Sequence, residues 1–345
     1  YLRSELAAGG EGPSKQFNPS VPVLETYPQQ LLAMNSLPTL QQRVGNRLWV
    51  NGTGGQTSTT GNPQIEGQGI WARVEGTQGR FKPGLSTSNA RYDFTMTRMQ
   101  AGLDIPLARR KAGQLIGGVT VHYANGRSDV TSPSGNGGIS TDGYGVGGTL
   151  TWYGTNGFYV DSQAQVTRYD STLSSTTANR TIAKGNRGSG YAFSLETGQK
   201  LGVGDGFTLT PQAQISYSRV KFDSFTDPFD AVVHLKNGDS LRGRLGVSLD
   251  HNNSWIASDG TISRTHIYGL ANLLYEFGKG STVNVASVDF SSRPKRLWAE
   301  IGTGVSYNWG GDKFSVYGQA TVGTSLDHVG ASRSFNGTVG FRMRW

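Results

Sequence analysis

The chain has 345 residues, with 32 Lys and Arg against 24 Asp and Glu, for a formal net charge of +8. Glycine fills 50 positions and charged residues only 16 %, about twice and about two thirds of ordinary usage; with no cysteine, a disulfide framework and a thiolate metal site are excluded. Aromatics at 10 % argue against a disordered chain, and the basic residues stand mostly singly, apart from Arg109-Arg110-Lys111 and Lys295-Arg296, with no recognised motif that would make nucleic acid a partner.

In chain order, residues 1–22 are polar and hold Gly9, Gly10, Gly12, Pro13, Pro19 and Pro22. They read as a linker or the end of an upstream domain. Tyr1-Leu2-Arg3-Ser4-Glu5 is not the charged start of a signal peptide, so the chain is expected to be the back part of a longer precursor. Residues 23–50 carry Leu24, Leu31, Leu32, Met34, Leu37, Leu40, Val44 and Leu48, many at spacings of three and four that predict one helix. Pro28 and Pro38 must lie at a helix start or kink it, and Asn35 or Ser36 is placed to cap a second segment. Residues 51–68 are expected to be a polar loop. No stretch approaches the roughly 20 apolar residues of a membrane helix.

From residue 69 to 345 the pattern is alternation. Tyr144, Val146, Gly148, Leu150 and Trp152 alternate with Gly145, Gly147, Thr149, Thr151 and Tyr153; Ile301, Thr303, Val305, Tyr307 and Trp309 alternate with Glu300, Gly302, Gly304, Ser306 and Asn308. Period two means strands with one apolar and one polar face. Twelve segments follow this rule, near 69–80, 91–106, 113–130, 140–154, 157–172, 189–203, 206–221, 240–250, 264–277, 296–309, 312–325 and 333–345. They are longer than the five or six residues of an ordinary strand, and their repeat is about twice that of a soluble sandwich. Connections at one end are short; those at 173–188, 222–239 and 278–295 are long, and 251–263 breaks the short-turn rule. Val283 to Phe290 also alternates and reads as a hairpin in an outer loop, with a thirteenth strand as the alternative. Aromatics gather near strand ends, as in the girdles of membrane barrels. The predicted fold is all-β: a 12-stranded antiparallel transmembrane β-barrel, with the N-terminal helix, roughly 37 Å long, threaded through a pore wider than that of an eight-stranded barrel.

With the apolar face on lipid, the pore is expected to be lined by Arg73, Glu75, Asp161, Gln163, Gln165, Glu196, Gln212, Gln214, Arg242, Arg244, Glu300, Tyr317, Gln319, Arg342 and Arg344. Asn35, Gln42, Arg43, Asn46 and Arg47 are the helix's polar contacts to that lining.

Several segments together resemble the translocator domain of monomeric (type Va, AIDA-like) autotransporters. Leu37-Pro38-Thr39-Leu40-Gln41-Gln42-Arg43-Val44-Gly45-Asn46-Arg47 is similar to that family's helix end, and Trp71-Ala72-Arg73-Val74-Glu75-Gly76 to its first strand. The run from Asp142 to Tyr153 is similar to its fourth strand, and Tyr1-Leu2-Arg3-Ser4 to the end of a passenger domain. Thr338, Gly340, Met343 and Trp345 resemble its C-terminal assembly signal. The resemblance covers nearly the whole chain. It implies a monomer, without cofactor, that inserts into the outer membrane through the BAM machinery and brings its own passenger to the cell surface. A porin-like diffusion channel is the alternative, although a porin has no use for residues 23–50.

Enzymatic chemistry has little to rest on. Some relatives cut off their passenger by cyclisation of a pore asparagine, which the resemblance would assign to Asn35, with Glu75, Glu196 or Glu300 assisting. Here Ser36 follows it, where those relatives have a second asparagine. The five histidines (His122, His234, His251, His266 and His328) are isolated, so no metal is expected.

Overall fold

The computed structural model describes residues 2–3, 16–46, 68–327 and 329–345. Arg47 and almost all of the expected loop at 51–68 lie outside the described residues. Twelve long strands form the wall: β1 Gly69–Phe81, β2 Arg91–Arg110, β3 Gly113–Thr131, β4 Gly137–Gly154, β5 Phe158–Ser175, β6 Arg180–Gln199, β7 Phe207–Phe222, β8 Val232–Ile256, β9 Ile262–Glu276, β10 Leu297–Trp309, β11 Phe314–Ser325 and β12 Arg333–Arg344. Each pairs antiparallel with its neighbours, and β12 closes on β1 with Val339 opposite Val74. Closure leaves no sheet edge in lipid, where an unpaired backbone group costs several kcal/mol.

Outward-facing positions carry exposed apolar residues around the whole wall, among them Val74, Met99, Val121, Val166, Phe193, Ile215, Leu245, Ile267, Ile301 and Val339. A continuous belt of this kind is unsuited to water and suited to hydrocarbon. The strands outrun the membrane. β2 has 20 residues, about 66 Å at 3.3 Å per residue, where 9–11 suffice to cross. Toward the long-loop end the outward residues become polar, as in Arg91, Asp93, Arg127, Asp129, Arg168 and Asp170, while the inward ones remain buried.

Those extensions change two expected loops, and longer strands at the short-turn end change a third. Within 173–188, β5 runs on to Ser175 and β6 starts at Arg180. Within 222–239, β8 starts at Val232 and pairs with Phe225–Thr226. The stretch 251–263 is strand up to Ile256 and from Ile262, around a turn closed by the Ala257 amide donating to the Thr261 carbonyl at 2.8 Å. The segment at 281–290 is a hairpin, Ser281–Val285 with Val288–Arg293, set off the barrel wall. β9 pairs directly with β10, Tyr275 opposite Leu297, and the hairpin lies against β8 and Leu85–Ser86 instead.

Within the lumen the expected helix is two, α1 Val21–Met34 and α2 Leu40–Val44; Asn35 ends the first, and the second is capped by Thr39 rather than by Asn35 or Ser36. Pro38 accounts for the break. It has no N–H to continue the ladder and disfavours helical torsions at Leu37. Thr39 then starts α2 with a capping box, its hydroxyl accepting from the Gln42 amide while the Gln42 side chain accepts from the Thr39 amide.

Candidate functional site: the plugged pore

The segment 16–46 enters at the long-loop end and descends to the end where the barrel strands begin and finish. At the top, Ser20 donates to Asp227 at 3.2 Å and Ser175 donates to the Pro19 carbonyl at 3.2 Å. At the bottom, Arg342 donates to the Val44 carbonyl at 3.0 Å.

Around α1 the lumen is apolar. Val21, Val23, Leu24, Tyr27, Leu31 and Met34 pack with Phe94, Met96, Ile139, Leu173, Phe222 and Phe290 from the strand extensions and the hairpin. The helix's leucines need this collar, because a polar pore would leave them in water. Four polar tethers set its rotation and depth. Glu25 accepts from the Ser86 hydroxyl and the Thr87 and Ser88 amides at 2.6, 3.0 and 2.9 Å. Tyr27 donates to Asn186 at 3.0 Å, Gln29 to Ser281 at 2.7 Å, and Gln30 to Thr141 at 3.0 Å. The wall comes close: a Cβ on Gly126 would stand 2.5 Å from the Met34 sulfur.

A helix C-terminus leaves carbonyls without partners. At the break between the helices, wall side chains supply the donors. Arg98 donates to the carbonyls of Met34 and Ser36 at 2.6 and 3.0 Å, Gln165 to that of Asn35 at 3.0 Å, and Gln163 to that of Pro38 at 2.8 Å. The Arg98 cation also suits the negative end of α1's dipole. The Asn35 side-chain nitrogen is held by the Tyr191 carbonyl at 2.9 Å and the Ser218 hydroxyl at 2.8 Å.

Around α2 the lumen is ionic. Arg43 forms a buried pair with Asp161, which also accepts from Thr151 at 2.5 Å and Gln163 at 3.0 Å. Glu196 accepts from the Leu40 amide at 3.1 Å and from Tyr159 at 2.7 Å, and pairs with Arg244 at 3.2 Å. Tyr317 donates to the Arg43 carbonyl at 2.5 Å. Its ring lies between two glycines: a Cβ would stand 2.1 Å from it at Gly340 and 2.8 Å at Gly45. Gly45 has φ +67°, a conformation open to glycine at little cost. Lys200 donates to Asn46 at 2.8 Å.

Some expected lining residues do other work. Arg242 is half exposed and stands 3.7 Å from Glu276. It faces a cavity of about 240 Å³ left beside the break, together with Glu75 and Glu300. Glu75 pairs with Arg73 at 3.1 Å and Arg98 at 3.4 Å, and Glu300 accepts from Asn272 and Thr321. Gln212 meets Arg244, and Gln214 meets both Arg244 and the Pro38 carbonyl. Arg344 was expected to face the helix. It donates instead to the Gly311 carbonyl at 2.5 Å, in the turn between β10 and β11. Of the terminal residues, Thr338 is buried, Met343 half-buried and Trp345 exposed. Arg98, Glu25, Tyr27, Gln29, Gln30 and Lys200 make contacts that the sequence does not announce. The signal for Arg98 was its parity with Gln100 on an expected strand.

Three comparisons bear on this arrangement. The family model of the autotransporter β-domain matches residues 70–321. A BmaC autotransporter adhesin of Brucella suis biovar 1 is 44 % identical over the whole chain, which spans 10 % of that protein. The pertactin autotransporter of Bordetella parapertussis is 27 % identical over 63 % of the chain and 23 % of its own length. The chain thus spans less than a quarter of these relatives. Among solved structures, the transport unit of AIDA-I from Escherichia coli superposes with a TM-score of 0.70 at 17 % identity, covering 96 % of this chain and all of that one. The translocator domain of NalP from Neisseria meningitidis gives 0.59 at 14 % identity, covering 84 % and 90 %.

Proposed function

This chain belongs to the autotransporter β-domain family, and from that premise we propose that it brings its own N-terminal passenger to the cell surface and keeps 16–46 in the pore as the tether. Barrels of this family are outer-membrane proteins of Gram-negative bacteria that secrete a passenger. One observation carries the finer reading: the direction of the segment. The barrel begins and ends at the short-turn end, which in outer-membrane barrels faces the periplasm, while residues 16–20 lie at the opposite mouth. A passenger joined ahead of them emerges outside. The name of the Brucella relative favours an adhesive passenger.

The barrel acts as a monomeric translocator rather than an enzyme and inserts through the BAM machinery, with Thr338, Gly340, Met343 and Trp345 as its assembly signal. The collar around α1 favours this reading over an open diffusion channel. Self-cleavage at Asn35 is not part of this reading, because Ser36 stands where the self-cleaving relatives carry a second asparagine.

The test is an epitope-tagged passenger fused ahead of residue 1. Protease added to intact cells should remove the epitope, and BAM depletion should abolish its exposure. A folded barrel with the epitope confined to the periplasm would overturn the proposal. Mass measurement of the secreted protein should show an intact bond between Asn35 and Ser36; a fragment beginning at Ser36 would reinstate cleavage.

A further inference from the structure

The lipid-facing wall carries a groove of about 570 Å³ across β3 to β8. Its floor is made by small outward residues, Gly148 on β4 and Ser162 and Ala164 on β5, with Gly148 opposite Ala164. Phe193, Leu195 and Tyr217 form one bank. A Cβ added at Gly148 would meet only the Gly118 carbonyl oxygen within 4 Å, at 3.8 Å, so the hollow is open there.

Four residues further along β5, about 13 Å toward the long-loop end, stands Arg168. It belongs to a row that crosses five strands: Tyr123 opposite Tyr144, Tyr144 opposite Arg168, Arg168 opposite Ser189, and Ser189 opposite Lys221. The two tyrosine rings are in contact, with centroids 5.1 Å apart, as befits the edge of an apolar belt. Arg168 and Lys221 are exposed, and neither has an ion pair or side-chain hydrogen bond among the described residues. Some outward cations are neutralised, Arg80 by Asp93 and Lys236 by Asp289, each at 2.7 Å, while Arg91 and Arg127 are exposed and without an ion pair among the described residues but stand apart from this row and its groove. The nearest carboxylates lie in adjoining rows. Asp142 is engaged by Tyr123 and Asn125, Asp170 is opposite Arg187, Asp239 is opposite Arg219, and Asp223 follows two residues after Lys221, just past the end of β7, where its amide donates to the Arg187 carbonyl.

We propose that this flank binds the phosphorylated, multi-acyl glycolipid of the outer leaflet, with a phosphate held between Arg168 and Lys221 and an acyl chain in the groove below. Two unpaired cations on strands two apart, roughly 10 Å, suit a phosphorylated headgroup, and charge-assisted bonds to phosphate are strong. The groove supplies the second half of an amphiphile's site. A second lipid-facing groove, of about 450 Å³ across β1 to β3, has Ala72, Ala101 and Gly102 among its lining. Four residues up from Ala72 and Ala101 stand the uncharged Gly76 and Thr97, so this groove serves as an internal control. The assignment to the outer leaflet rests on the orientation proposed above.

The experiment is native mass spectrometry of the full chain in mild detergent, with diphosphorylated lipid A as probe and its dephosphorylated form as comparison. The phosphorylated probe should be retained at least tenfold better. The Arg168→Gln/Lys221→Gln variant should lose that advantage, Gly148→Leu should lower retention of both lipids, and Arg127→Gln, an outward cation away from the row, should change nothing. Equal retention of the two lipids, an equal loss with Arg127→Gln, or displacement of the lipid by inorganic phosphate alone would overturn the inference. Passenger display is not read in this assay, so loss of lipid binding with normal display rejects the lipid site and leaves the translocator reading standing.

Discussion

Arg43 and Asp161 meet in the narrow polar half of the pore, each almost wholly shielded from water. Removing one partner of such a pair strands a buried charge, at a cost of about 3–5 kcal/mol, whereas replacing both with apolar residues of similar volume is often nearly neutral. Arg43→Ala should therefore lower the temperature at which the folded band on a semi-native gel converts to the unfolded one, and Arg43→Met with Asp161→Leu should recover most of the loss; an unshifted Arg43→Ala would show that the pair is dispensable. Gly340→Ala should cost about 1–3 kcal/mol by overpacking, since the Tyr317 ring would have to leave both glycines and release the Arg43 carbonyl. Trp345 is exposed at the chain end and buries little, so Trp345→Ser should reduce the yield of folded barrel in membranes while the barrel that does fold melts like the parent. Normal yield would make it an ordinary girdle residue. Strand parity made Asp161, Gln163, Gln165 and Glu196 legible in the sequence, because along β5 and β6 every second residue in that stretch is polar. Arg98 was hidden because the inward face of β2 runs Phe94, Met96, Arg98, Gln100 and changes from apolar to polar halfway along.

At the scale of elements, the break between α1 and α2 divides the lumen into an apolar collar and an ionic throat. Leucine periodicity alone could not find it, since the spacing of three and four runs from Leu37 to Leu40 straight past Pro38. What decides the matter is local: Pro38 removes a donor, and Arg98, Gln163 and Gln165 satisfy the carbonyls that the ended helix exposes. The same division explains the two misread loops at the long-loop end. Strands that project beyond lipid lose the contrast between an apolar outside and a polar inside, and so look like loop sequence, although their inward residues form the collar. Leu24→Asp places an unpaired charge in that collar without touching the strand ladder. The barrel should still insert, and its conductance in planar bilayers should rise as α1 detaches. A conductance as low as the parent's would mean that the ionic throat, and not the collar, seals the pore.

For the molecule as a whole, strand number and closure followed from alternation, whereas strand length and the filling of the upper pore depended on contacts between residues far apart in sequence. In the proposed function the tether runs from the outer mouth to the periplasmic end, so that what precedes it lies outside the cell. The absence of cysteine gives a clean background for Asn18→Cys, at the head of the tether, and Asp259→Cys, in the turn between β8 and β9. Labelled on intact cells with a membrane-impermeant maleimide, Asn18→Cys should react and Asp259→Cys should react only after the outer membrane is permeabilised. Reaction of Asp259→Cys on intact cells with Asn18→Cys silent would contradict the account.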